Sequence, residues 1–163
     1  MDIKYEAING DSRAALHGLM TEYYRDGEDH DTPQEEIDAF IGLLFEKVVS
    51  KAFDGRVAYV DGCPAGFVLW MMDEAGMDYS VIPGFGTILE IGARPGYRRM
   101  GLGKQMAELA QGVLLKNGAA GLYVLACGKA QSFWKKCGFV ESGRVAFNGL
   151  PVYVKDVPGR DAK

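Results

Sequence analysis

Apolar positions along the chain follow two spacings, and the switches between them mark out the elements. Residues 3–8 read as a first strand. Asp11-Ser12 then precede apolar positions three and four apart, Leu16, Leu19, Met20, Tyr23 and Tyr24, which predict a helix capped at its start. Gly27-Glu28-Asp29-His30-Asp31 breaks it. Thr32-Pro33-Gln34-Glu35 reads as a capping box with Pro at the first helical position, and Ile37, Phe40, Ile41, Leu44, Phe45 and Val48 give the second helix one apolar face. Residues 56–60 and 65–72 are strand-like around an Asp61-Gly62 turn, and a looser Gly-, Pro- and acid-rich segment, 73–85, follows. A strand at 87–93 leads through a glycine loop to a helix carrying Met106, Leu109, Ala110, Val113 and Leu114, which Asn117-Gly118 stops. Residues 122–126 read as a buried strand and 129–137 as a helix. Residues 139–147 and 150–155 read as a hairpin around Asn148-Gly149, the favoured two-residue turn. Residues 158–163 are expected to fray. The order β-α-α-β-β-β-α-β-α-β-β predicts one α/β domain with a mixed sheet.

Composition narrows the function class more than the fold. At 163 residues, with 48% apolar and 25% charged residues, the chain suits one globular domain with a substantial core. A net charge of −4 argues against a broad nucleic-acid footprint. The apolar runs are far shorter than a membrane span, and Met1-Asp2-Ile3-Lys4-Tyr5-Glu6 has no signal-peptide pattern. Cys63, Cys127 and Cys137 fit neither a disulfide framework nor a zinc motif, so a reducing cytoplasm without a bound metal is expected.

The chemistry concentrates in Arg98-Arg99-Met100-Gly101-Leu102-Gly103, between the apolar run Thr87-Ile88-Leu89-Glu90-Ile91 and the long helix. A helix start carries unpaired N–H groups and a partial positive charge, and glycines let a ligand approach that backbone. The segment therefore reads as a diphosphate cradle. Gly103-Lys104-Gln105 lacks the Ser/Thr that ends a P-loop. Met106 stands where the dinucleotide fingerprint needs its third glycine. A plain strand-to-helix turn is the bland alternative.

The loop also resembles the Gln/Arg-x-x-Gly-x-Gly/Ala acyl-CoA loop of the GNAT superfamily, with Arg98, Gly101 and Gly103 in the motif places. Ala130-Gln131-Ser132-Phe133-Trp134-Lys135-Lys136-Cys137-Gly138-Phe139 is similar to that family's Ala-x-x-Phe/Leu-Tyr-x-Lys-x-Gly-Phe segment, and the order of elements agrees over roughly residues 3 to 155. The resemblance implies a single GNAT-like α/β domain over residues 1–157, with a mixed, mostly antiparallel sheet flanked by helices. It implies N-acetyltransfer from acetyl-CoA, used as cosubstrate, to a primary amine of a small molecule, protein or peptide. It carries pyrophosphate binding to Arg98, Arg99, Met100, Gly101, Leu102, Gly103 and Lys104, and pantetheine pairing to Ile91, Gly92 and Ala93. Cofactor contacts fall on Phe133, Trp134 and Lys136. No nucleic-acid or membrane partner is expected, and a homodimer is admitted.

An ammonium must lose a proton before its nitrogen attacks a thioester. Glu90, a carboxylate interrupting the apolar strand, is the candidate base, with a structural ion pair as its alternative. Trp134 stands where the family places a tyrosine that protonates the leaving thiolate, and an indole N–H is no acid at neutral pH. Cys127 replaces the asparagine many members carry there, and reads as a small buried residue. Glu28, Asp29 and Asp31 could attract a cationic amine, although such a run more often lies solvated, and His30 is expected to be exposed among them. Tyr23, Tyr24, Trp70 and Tyr79 could line an amine pocket or belong to the core. Two readings from other classes stand beside the transferase: a CoA-binding sensor on the same fold, and a nucleotide-binding module.

Overall fold

The computed structural model describes residues 1–27 and 30–156; the tail expected at 158–163 and the acidic Glu28 and Asp29 lie outside the described residues. The elements are β1 (Ile3–Ala7), α1 (Arg13–Asp26), α2 (Gln34–Val49), β2 (Asp54–Val60), β3 (Cys63–Met72), β4 (Gly86–Ala93), α3 (Leu102–Lys116), β5 (Gly121–Leu125), α4 (Gln131–Lys136), β6 (Val140–Val145) and β7 (Pro151–Asp156). The expected order of elements is the observed one. The strands form one seven-stranded mixed sheet in the order β1-β2-β3-β4-β5-β7-β6. The described residues group into two compact units, one within 1–69 and 90–106, the other within 70–89 and 107–156.

In the first unit β1 runs antiparallel to β2, from Ile3 opposite Val60 to Ala7 opposite Arg56. The Asp61-Gly62 turn has φ of 49° and 82°, the double left-handed geometry a tight hairpin requires. The start of α1 corrects the sequence reading. Ser12 makes no side-chain cap bond there; Asn9 instead caps a short 3₁₀ turn, Gly10–Ser12, and the Ser12 hydroxyl accepts from the Asn9 N–H at 2.8 Å. The capping box expected at Thr32 is likewise not formed: α2 begins at Gln34 after Pro33 with no side-chain cap bond. Arg25 holds the α1–α2 connection instead, donating to the carbonyls of His30 at 2.9 Å and Thr32 at 2.6 Å. Edge-to-face rings, Phe40 on Tyr24, Tyr24 on Tyr23 and Tyr23 on Phe67, link α2 through α1 to β3.

In the second unit β4 lies parallel to β5, with Gly86 opposite Leu122 and Thr87 opposite Tyr123, and β7 pairs antiparallel with all of β5. The segment between β3 and β4 gathers around one buried carboxylate. Asp73 accepts hydrogen bonds from the Ser80 hydroxyl, the Val81 and Ile82 N–H groups at 2.7 and 2.9 Å, and the Tyr123 hydroxyl at 2.7 Å. Burial pushes the Asp73 carboxyl up, but these donors outweigh it and hold it below the usual carboxylate range. Gly118, at φ 93°, ends α3 as its Asn-Gly signal predicts. The second hairpin corrects the sequence reading. The Gly149 N–H bonds the Ala146 carbonyl, the Ala146 N–H bonds the Leu150 carbonyl, and only Gly149 takes a positive φ, so the loop has three residues, 147–149. Between Glu141 and Val145 β6 shifts register against β7, with Gly143 at φ 82°.

Candidate functional site

The glycine loop is built by backbone conformation. A 3₁₀ turn over Pro95–Tyr97 leads to an extended Arg98, then Arg99 at φ 69° and Gly101 at φ 77°. The first bond into α3 runs from the Gln105 N–H to the Gly101 carbonyl at 3.0 Å. Among the described residues, the backbone N–H groups of Arg99, Met100, Gly101, Leu102, Gly103 and Lys104 have no hydrogen-bond acceptor. Successive free N–H groups at a fifteen-residue helix start, with left-handed residues between them, are chemically suited to take up an anion. A Cβ on Gly101 would meet nothing within 4 Å, so glycine is there for its φ and not for space.

The two motif arginines differ. Arg99 and Lys104 are exposed, and neither side chain has a partner among the described residues. Arg98 is engaged within the protein: its Nη1 lies 2.6 Å from Asp26 Oδ2 and its Nε donates to the Ala93 carbonyl at 3.0 Å. The sequence reading missed Arg94, which donates to Glu22 at 2.8 Å and to the Pro64 carbonyl at 2.9 Å. An open crevice of about 210 Å³, counted with the solvent at its mouth, lies here between Leu19, Glu22, Tyr23, Phe67, Gly92 and Arg98. Only charge complementarity at matching four-residue spacing, Glu22 and Asp26 against Arg94 and Arg98, could have signalled these contacts.

The parallel ladder of β4 with β5 stops at Thr87, and β4 continues to Ala93, so Ile91, Gly92 and Ala93 lie beyond it. Gly92 is forced by rings: a Cβ there would stand 2.8 Å from both Phe67 and Tyr23. Glu90 is half-buried, and its carboxylate has no hydrogen-bond or ion-pair partner among the described residues. Burial pushes its carboxyl up to about 7, so it titrates in the range where a base works at neutral pH.

The α4 segment belongs to the second unit. Trp134 is 4% exposed, with its ring 4.9 Å from Phe133 and 5.3 Å from Phe139. Phe133 is half-buried and Lys136 exposed. We expect Trp134→Phe to cost about 1–2 kcal/mol, as an imperfect refilling of a packed site, and to leave kcat of the folded fraction unchanged, read by thermal melts beside steady-state rates. A kcat collapse in the folded variant would assign the indole a chemical role. Cys127 is half-buried, and all three cysteines are free thiols. Tyr23 and Tyr24 are engaged in the ring stack, Trp70 is buried, Tyr79 is half-buried, and His30 is exposed with its Nε2 3.3 Å from Asp31. Among the described residues no group of His, Cys, Asp and Glu could hold a metal ion, and no helix is long and apolar enough to cross a membrane.

Fold and loop together define an α/β protein whose third helix opens on a glycine-bearing run of backbone N–H groups. Residues 13–139 match the acetyltransferase (GNAT) family, and the chain belongs to that family. No curated protein matches the chain by sequence. Solved structures share the fold at low identity. The PaiA N-acetyltransferase from Thermoplasma acidophilum, in complex with coenzyme A, is 16% identical with a TM-score of 0.73, over 96% of this chain and 100% of that one. A GNAT acetyltransferase from Brucella melitensis, in complex with acetyl-CoA, is 16% identical with a TM-score of 0.65, over 96% and 92%. AAC(6')-Iy, in complex with the bisubstrate analogue CoA-S-monomethyl-acetylneamine, is 18% identical with a TM-score of 0.70, over 90% and 97%.

Proposed function

We propose that the protein is an acyl-CoA-dependent N-acetyltransferase that moves an acetyl group from acetyl-CoA to a primary amine by direct attack, acting as one domain over residues 1–157. The observation that carries this reading is the run of six free N–H groups from Arg99 to Lys104 at the start of α3. It suits a diphosphate, with the Arg99 and Lys104 side chains adding charge. Ile91, Gly92 and Ala93, past the end of the parallel ladder, would pair with the amide-bearing arm. Complexes of family members with coenzyme A, acetyl-CoA and a CoA-aminoglycoside bisubstrate support the cosubstrate and an amine acceptor. The acceptor is a small-molecule amine or a protein or peptide amine. Free thiols suit a reducing cytoplasm.

In the reaction Glu90 takes a proton from the amine, directly or through water. The nitrogen forms its bond to the acetyl carbon, and the carbon–sulfur bond breaks. The thiolate takes its proton from a group other than the Trp134 indole. Gly101→Val tests the cradle. A β-branched residue is strained at φ 77°, so the loop loses its shape while the cores persist. CoA affinity should fall about tenfold or more, since 1.4 kcal/mol is a factor of ten. Unchanged CoA affinity in the folded variant removes the cradle. The buried indole at position 134 favours a second reading, a CoA-binding sensor without efficient turnover. An amine panel with acetyl-CoA separates the two: binding with no release of CoA favours the sensor.

A further inference from the structure

Two ion pairs with matching spacing join the end of α1 to the turn before the glycine loop. Glu22 and Asp26 stand one helical turn apart on α1, and Arg94 and Arg98 flank the Pro95–Tyr97 turn. The pairs differ in how firmly they are held. Arg94 Nε meets Glu22 at 2.8 Å, and its Nη1 also reaches the Pro64 carbonyl at the start of β3. The Arg98–Asp26 pair, at 2.6 Å, is the more open one, with both side chains about half exposed at 47% and 48%. Arg98 also directly precedes Arg99, the first of the six free N–H groups. An exposed ion pair is worth little, whereas a guanidinium on a phosphate makes short, charge-assisted and often bidentate bonds. A diphosphate seated on the loop is therefore the stronger partner for Arg98.

We propose that Asp26 is a positioning residue that holds Arg98 beside the loop, and that Arg98 exchanges Asp26 for phosphate when a diphosphate binds. This rests on the acyl-CoA reading of the loop. The exchange ties cofactor binding to α1. Asp26 is the last residue of that helix and follows Arg25, whose guanidinium holds the His30 and Thr32 carbonyls of the α1–α2 connection. Filling the loop removes one of the contacts that fix this helix end.

The test is CoA and pantetheine titration by calorimetry on wild type, Asp26→Asn, Asp26→Glu and Arg98→Gln. Asp26→Asn should bind CoA about two- to fivefold more tightly, the range that breaking an exposed ion pair represents. Asp26→Glu should stay near wild type. Arg98→Gln should bind CoA more weakly, and adding Asp26→Asn to it should change nothing further. Pantetheine, which has no phosphate, should not distinguish Asp26→Asn from wild type. An aspartate that only supports the fold would, on removal, weaken CoA binding or leave it unchanged, and either result overturns the exchange. An equal gain with pantetheine overturns it as well. A wild-type protein that binds no CoA removes the acyl-CoA reading itself, whereas bound CoA with an unresponsive Asp26→Asn removes only the exchange.

Discussion

Glu90→Gln should lower kcat/KM for the amine by about 10²-fold or more at neutral pH in a protein that remains folded, the usual scale of a lost general base. Burial places the Glu90 carboxyl at about 7, so its basic form grows as pH rises through that value. The wild-type rate should rise along the same limb, and the variant should lack it. The gap narrows at high pH, where the amine deprotonates without help. Stability should move in the opposite sense. A carboxyl raised in the folded state binds a proton that the unfolded chain has already released, so wild type loses stability as pH climbs from about 4.5 to 7. Glu90→Gln has no such loss and should melt higher than wild type above pH 7, with no difference below about pH 4. Full activity of the variant at neutral pH removes Glu90 as the base.

Asp73→Ala should be the most destabilising of these substitutions. It leaves the Ser80 and Tyr123 hydroxyls and the Val81 and Ile82 N–H groups without their acceptor, around a residue 1% exposed. Unsatisfied buried donors cost about 1–3 kcal/mol each, partly relieved by water, so a loss of about 3 kcal/mol is expected. At this chain length that is a fall of roughly 6–12 °C in Tm. Because the folded carboxyl lies below its usual range, its contribution is present above about pH 4 and vanishes as pH drops further. Wild type should thus converge on Asp73→Ala in acid. A shift under 2 °C at pH 7 would mean that the loop is held by other contacts.

The order of elements was legible because periodicity and punctuation are local. Asp61-Gly62 and Asn117-Gly118 adopt the backbone their residue types favour. Three local readings missed for a shared reason. Ser12 and Thr32 are plausible caps, but Asn9 takes the first role and no side chain takes the second. Asn148-Gly149 fits a two-residue turn, yet the paired strands close around three residues. Each outcome depends on which neighbour wins a donor or a register, and spacing alone does not decide that. The backbone of the glycine loop was legible, since Gly101 takes the left-handed φ that its residue type favours. The engagement of Arg98 was not, because Asp26 is 72 positions away and only the tertiary fold brings them together. Asp73 gave no pattern either: its donors come from positions 80–82 and 123, with no fixed interval.

The register shift in β6 also matters beyond this molecule's own hairpin. β6 is the last strand of the sheet, and Val140, Val145 and Phe147 along and beyond it are all exposed. A straight, apolar outer strand offers its free backbone to any other chain in extended form. The extra residues around Gly143 bend this one out of line, so a newly made copy meets a kinked rim that is a poor template for strand-upon-strand addition. Deleting them would leave a straighter rim, guarded against strand addition only by the Glu141 and Arg144 charges.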